Sequence, residues 1–210
     1  MNQKEIIDEI GEGLELALDG FKYMKPKKSL HKTLEKGWNR ITLDLRPTSD
    51  REKVKLLVNV EVQHSGLEEI YALHNPYLKA KDRKWHPTIG HNCDEIFETN
   101  PIIHGFNYTS EGIADCINTY AAMLKKDALP WLEKYSSEEF LFDALVNDAP
   151  FLSPLVRYPV LMAIYSKREN LEEVKRVGEE FLNYCKQPHA QVYTSLAEST
   201  LNGILENLTA

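Results

Sequence analysis

The sequence predicts an α+β fold: an N-terminal helix on an antiparallel sheet, followed by a helical C-terminal half. Three observations predict it. Apolar residues recur at three- and four-residue steps over Gln3–Leu18. Alternation of apolar and polar residues takes over in Arg40–Arg46 and again in Val54–Val62, where Leu57 is the exception on the polar face. Helical spacing returns near residue 110 and persists to the C-terminus. The change of period divides the 210 residues into an expected helix-plus-sheet domain, 1–108, and a helical subdomain, 109–210, packed on it.

In the first helix, Ile6, Ile7, Ile10, Leu14, Ala17 and Leu18 share one face, and Glu5, Asp8, Glu9, Glu12 and Glu15 fill the other. Gly20 is a natural stop. Phe21–Tyr23 and Ser29–Leu34 read as short strands. In the next strand Ile41, Leu43 and Leu45 face one way, Thr42 and Asp44 the other. Val54, Leu56, Val58, Val60 and Val62 repeat the pattern after a turn-rich link. Such one-sided alternation belongs to a sheet with one buried and one wet face, and the first helix is its expected cover. Gly66–Leu73 reads as a short helix, Asn75–Asn100 as a structured loop with a strand around Thr88–His91, and Ile102–Tyr108 as a last strand.

From there Thr109 or Ser110 caps a helix through Ile113, Ile117, Tyr120, Ala121 and Leu124. Pro130 suits the first turn of a continuing helix, and Ser136–Glu139 reads as a capping box. Pro150, Pro154 and Pro159 punctuate the next stretch, before helices over Val160–Tyr165, Leu171–Cys185 and Gln191–Leu208.

Composition excludes several classes. With 42% hydrophobic residues, 10 Gly and 10 Pro, the chain is neither collagen-like nor disordered. No apolar run approaches the roughly 20 residues that span a bilayer, so no membrane partner is expected. The start, MNQKEIIDEIGEG, lacks the pattern of a signal peptide, and Cys93, Cys116 and Cys185 are scattered and odd in number. The expected setting is therefore the cytoplasm. The net charge of −7 is uneven along the chain. Residues 1–60 hold 12 Lys and Arg against 10 Asp and Glu, residues 61–110 hold 4 against 7, and residues 111–210 hold 9 against 15.

Candidate binding residues fall in two places. His86, His91, Cys93 and His104, with His74 and Asp94 nearby, concentrate imidazole and thiol groups that suit transition metals. The segment has no CxxC, HExxH or HxH spacing, so neither a metal nor another cofactor is expected. Trp85 anchors the same segment. Earlier, seven Lys or Arg between Lys22 and Arg40 interleave with Tyr23 and Trp38, a pattern that suits single-stranded nucleic acid. Lysines also protect exposed strand edges, and the chain is acidic overall, so nucleic acid is not the expected partner. Trp38 and Arg40 remain binding candidates. No GxSxG elbow or phosphate-cradling loop is present, and no catalytic residue is assigned. The pairs Glu68-Glu69 and Glu138-Glu139 read as exposed acids at helix starts.

Gly20-Phe-Lys, the basic strand after it, Trp38-Asn-Arg-Ile-Thr-Leu and the apolar strand that follows carry a family resemblance. Residues 1–65 resemble a group of uncharacterised bacterial domains, some of which occur near toxin-immunity and defence loci. The resemblance implies a bacterial protein-binding module of immunity type and carries over no functional residues. Together with the acidic second half it sets the expectation: a non-catalytic module that offers an acidic helical face to a basic protein partner. The alternatives are a small metal-assisted enzyme built on the His86–His104 segment and a structural module without a small-molecule ligand.

Overall fold

A computed structural model describes residues 2–49, 53–83, 85–96, 105–147 and 152–209. The fold is α+β, with an N-terminal helix, an antiparallel sheet of six strands and a helical C-terminal half. The elements in chain order are α1 (Gln3–Ala17), β1 (Lys22–Met24), β2 (Ser29–Leu34), β3 (Gly37–Pro47), β4 (Lys53–His64), α2 (Leu67–Tyr71), α3 (Ala80–Arg83), β5 (Ile89–Asn92), α4 (Cys93–Ile96), β6 (Phe106–Asn107) and α5 (Ser110–Met123). A π-helical turn, Leu124–Ala128, then leads into α6 (Leu129–Tyr135), α7 (Glu138–Val146), α8 (Pro154–Lys167), α9 (Leu171–Cys185) and α10 (Thr194–Thr209). No helix among the described residues is long and apolar enough to cross a membrane.

These elements form two compact units. Unit 1 comprises Met1–Val62 and Gly90–Ser136, and unit 2 comprises Gln63–Ile89 and Ser137–Ala210. The division does not follow the change of period at residue 108. Helices α5 and α6 belong with the sheet, and α2 and α3 belong with the C-terminal helices. A helix joins whichever apolar surface it covers, and periodicity reports only that it has a face to bury.

In unit 1 the strands lie in the order β1-β2-β3-β4-β5, and β6 also pairs with β4. Leu30 stands opposite Ile41, and His31 opposite Arg40. The predicted inner row of β4, Val54 through Val62, is buried completely, as are Ile41 and Leu43 of β3. Tyr120 of α5 donates its hydroxyl to the Leu56 carbonyl at 2.5 Å, which ties α5 to β4. Helix α1 buries Ile6, Ile7, Ile10 and Leu14 and packs against α5 and β3. Its start is a reciprocal cap. The Asn2 side chain accepts from the amides of Lys4 and Glu5, and the Glu5 carboxylate accepts from the Asn2 amide. Gly11 is required for packing: a Cβ there would lie 2.2 Å from the Tyr23 ring, whose hydroxyl donates to Asp8 at 3.0 Å.

Unit 2 is built on α8, in which Val160 through Ile164 are all buried. Helix α9 lies against α8 and α10, and α2 also packs on α8. Gly178 of α9 lets Leu201 of α10 approach to where a side chain would collide.

Three local expectations are corrected. Ser137, not Ser136, caps α7, accepting from the Phe140 amide at 3.4 Å. Phe140 thus holds the position that a capping box needs for Glu139, while Ser136 closes α6 by donating to the Leu132 carbonyl. Pro154 opens α8 as a proline should, but Pro159 lies inside the helix, where burial outweighs the lost backbone bond. Of the strand expected over Ile102–Tyr108, residues 102–104 lie outside the described residues, and among 105–108 the strand is Phe106–Asn107, without Gly105 and Tyr108.

The Gly11–Tyr23 contact gives a test. Alanine is favoured over glycine in a helix by about 1 kcal/mol, yet Gly11→Ala is expected to destabilise the protein by about 1–3 kcal/mol through overpacking. Urea denaturation read by circular dichroism checks the sign.

Candidate functional site

The described residues selected from the sequence fall in both units. His86 and Trp85 belong to unit 2, whereas His91, Cys93, Trp38 and Arg40 belong to unit 1. His104 lies outside the described residues. The His86 Nδ1 bonds the Pro87 carbonyl at 2.9 Å, and its ring meets Tyr71 edge-on. His91 lies 6.1 Å from the Trp131 ring. Cys93 is fully buried, and burial followed by the charge of Asp94 pushes its thiol far up, away from the thiolate form that metals and electrophiles require. Among the described residues no group of three or more His, Cys, Asp or Glu stands close enough to hold a metal ion.

Trp38 and Arg40 lie on the sheet face opposite Ile41 and Leu43. The Arg40 guanidinium sits 4.6 Å from the Trp38 ring centre and pairs with Glu61, which also accepts from the Thr42 hydroxyl. His31 stands beside them, and burial, then the positive charges of Arg40 and Lys27, lower its pKa to about 4. Lys22 and Lys25 pair with Glu15 and Glu12 of α1. Much of the basic stretch is thus matched by acids within unit 1.

The most unusual chemistry lies where no candidate was chosen. Beyond Val62 the β4 alternation breaks, and Gln63 and His64 are both buried. The His64 amide donates to the Thr88 hydroxyl oxygen at 2.8 Å. One turn on, Glu68 is only 4% exposed, which corrects its expected place at an open helix start; Glu69 is exposed as expected. Glu68 shares a helical arc with Leu67, Tyr71 and Ala72, all buried, so the arc carries it inward. That arc is the signal in the sequence that could have found it.

Glu68 lines a cavity of about 430 Å³ with Gln63, Ser65, Leu73, Ala80 and Arg83. Its Oε1 is buried and has no hydrogen-bond partner among the described residues, and the same holds for the Arg83 Nε. Burial raises the Glu68 pKa to about 7, although hydrogen bonds from the backbone and from Thr88 pull the other way.

A second feature of unit 2 is the surface of α9 and α10. One groove of about 410 Å³ is lined by Glu179, Leu182, Asn183, Lys186, Thr194 and Glu198. Another of about 300 Å³ includes Leu171, Lys175, Leu205 and Glu206. Several acids of unit 2 are neutralised internally: Glu138 by Lys167, Glu139 by Arg168, and Glu173 and Glu180 by Arg176. Glu172, Glu179, Glu198 and Glu206 form no ion pair among the described residues, against Lys175 and Lys186, which form none either, so a net negative charge collects on α9 and α10.

Comparison of the chain with protein-family models, with curated proteins and with solved structures returned no match.

Glu68 makes a stability prediction with a definite sign. Between its ordinary value of 4.5 and about 7, the folded chain keeps a proton that the unfolded chain has lost. Stability therefore falls as pH rises through that window, and the cost is complete above it. Glu68→Gln is expected to raise stability at pH 8 by up to about 3 kcal/mol, with the gain vanishing near pH 4. Thermal melts of both proteins across this range measure it.

Proposed function

We propose that the protein is a non-catalytic binding module that presents the α9–α10 face of unit 2 to a basic protein partner, in a role of immunity type. The observation that carries this reading is the pair of acids without ion-pair partners among the described residues, Glu179 and Glu198, which line a groove together with Leu182 and the cation Lys186. Acids held in internal ion pairs add little to a partner's recognition, because their field is already cancelled at short range. Acids without a counter-ion attract an incoming cation and steer its approach. Apolar groove walls supply the contact area that charge alone does not. The resemblance of residues 1–65 to bacterial domains near toxin-immunity loci favours the same class of role. The whole-chain charge is a weaker guide, since unit 1 carries 15 Lys and Arg against 18 Asp and Glu, and unit 2 carries 10 against 14.

The test uses the tagged full chain as bait in a lysate of its source cells, followed by titration of any purified captured protein. Binding is expected to weaken steeply between about 0.05 and 0.5 M salt. The Glu179→Lys, Glu198→Lys double variant is expected to lose at least about tenfold in affinity while melting like the parent. A captured protein that binds both forms equally at every salt concentration would sink the proposal, as would the absence of any salt-sensitive partner.

A further inference from the structure

The Glu68 cavity calls for an occupant of particular chemistry. A buried carboxyl ordinarily finds a donor for each oxygen, and a buried guanidinium nitrogen finds an acceptor. Here Glu68 and Arg83 line one cavity and form no ion pair with each other, and each has a buried polar atom without a hydrogen-bond partner among the described residues. Thr88 and the local backbone already serve Glu68, so the orphaned Oε1 is left over after the internal bonds are made. Glu69 adds a negative charge to the lining, and Glu68 supplies another in its ionised form.

This combination selects by charge. A simple anion would meet Arg83 but be repelled by Glu68 and Glu69. A simple cation would meet the acids but be repelled by Arg83. A small molecule carrying both charges a few bonds apart satisfies all three groups. Gln63 and Ser65 offer an amide and a hydroxyl to the same ligand. The apolar part of the wall is short, consisting of Leu73 and Ala80, and Leu73 is 47% exposed. A short aliphatic group laid on Leu73 would remove apolar surface from water. The volume of about 430 Å³ is at the small end of the range typical of ligand sites.

We propose that this cavity binds a free α-amino acid with a short aliphatic side chain, its ammonium group facing Glu68 and Glu69 and its carboxylate taken by the Arg83 guanidinium. The site shares no residue with the α9–α10 face, so the two readings stand or fall separately.

The experiment titrates the full-length protein calorimetrically with L-alanine, L-valine and L-leucine, and with the N-acetyl and carboxamide forms of each. At least one free amino acid is expected to bind. Each capped form, having lost one charge, is expected to bind at least tenfold more weakly than its parent. Glu68→Gln, which should fold at least as well as the parent protein, is expected to weaken the free amino acid at least tenfold and to bind the N-acetyl form no more weakly than the parent does. Arg83→Gln is expected to weaken the free amino acid at least tenfold too, and to bind the carboxamide no more weakly than the parent does. If Arg83→Gln does not fold, the capped series on the unaltered protein decides alone. The proposal is overturned if none of the three free amino acids binds, or if the capped forms bind as well as the free ones.

Discussion

Five side chains of β4, Val54, Leu56, Val58, Val60 and Val62, must leave water together, because alternation sets them all on one side of a single strand. Each is worth on the order of 2 kcal/mol when fully buried, so the row cannot be left half covered. Unit 1 is arranged to cover it. Strand β3 extends the apolar surface with Ile41 and Leu43, and α5 is fastened over β4 by the Tyr120 hydroxyl. Helix α1 completes the layer beside α5, close enough that Tyr23 lies directly on Gly11.

The same strand also sets where unit 2 begins. Past Val62 the chain keeps its extended course but changes chemistry, and Gln63 and His64 are buried as polar groups. Their demands are met locally, through Thr88 for the His64 amide. Glu68 follows within one turn and is only partly satisfied. A cavity with unspent hydrogen-bonding capacity therefore opens at the point where the apolar row runs out. Burying a carboxyl opposes folding at neutral pH, and the remaining packing of α2 on α8 must outweigh it.

Charge along the chain and charge in the fold are different quantities. The sequence is slightly basic at one end and strongly acidic at the other, yet the two units differ by a single net charge because residues 63–89 and 90–136 exchange places between them. Within each unit, ion pairs such as Lys25–Glu12, Arg40–Glu61 and Lys167–Glu138 cancel much of what composition counts. What remains is local: four acids without ion-pair partners among the described residues on α9 and α10.

The regular elements were legible in the sequence wherever a periodic apolar row was long. Helix α1, the β3 and β4 alternation and α9 have close to the expected bounds, because a long row leaves only one period that buries it. Short signals were read less well. The α7 cap shifted by one residue because Ser136 and Ser137 are chemically equivalent, and only the path of the chain selects between them. Glu68 and Glu69 are likewise identical in composition, and a difference of 100° around a short helix puts one inside and the other in water. The sequence by itself determined the order and type of the long elements, the buried row of β4 and the α+β class, since these follow from local periodicity, whereas the short α3 and α4 fall where a loop was expected. Only the tertiary structure decided which helices join the sheet and which Glu is buried in the wall of a cavity that Arg83 also lines. Those outcomes depend on contacts between residues far apart in the chain, which no local pattern encodes.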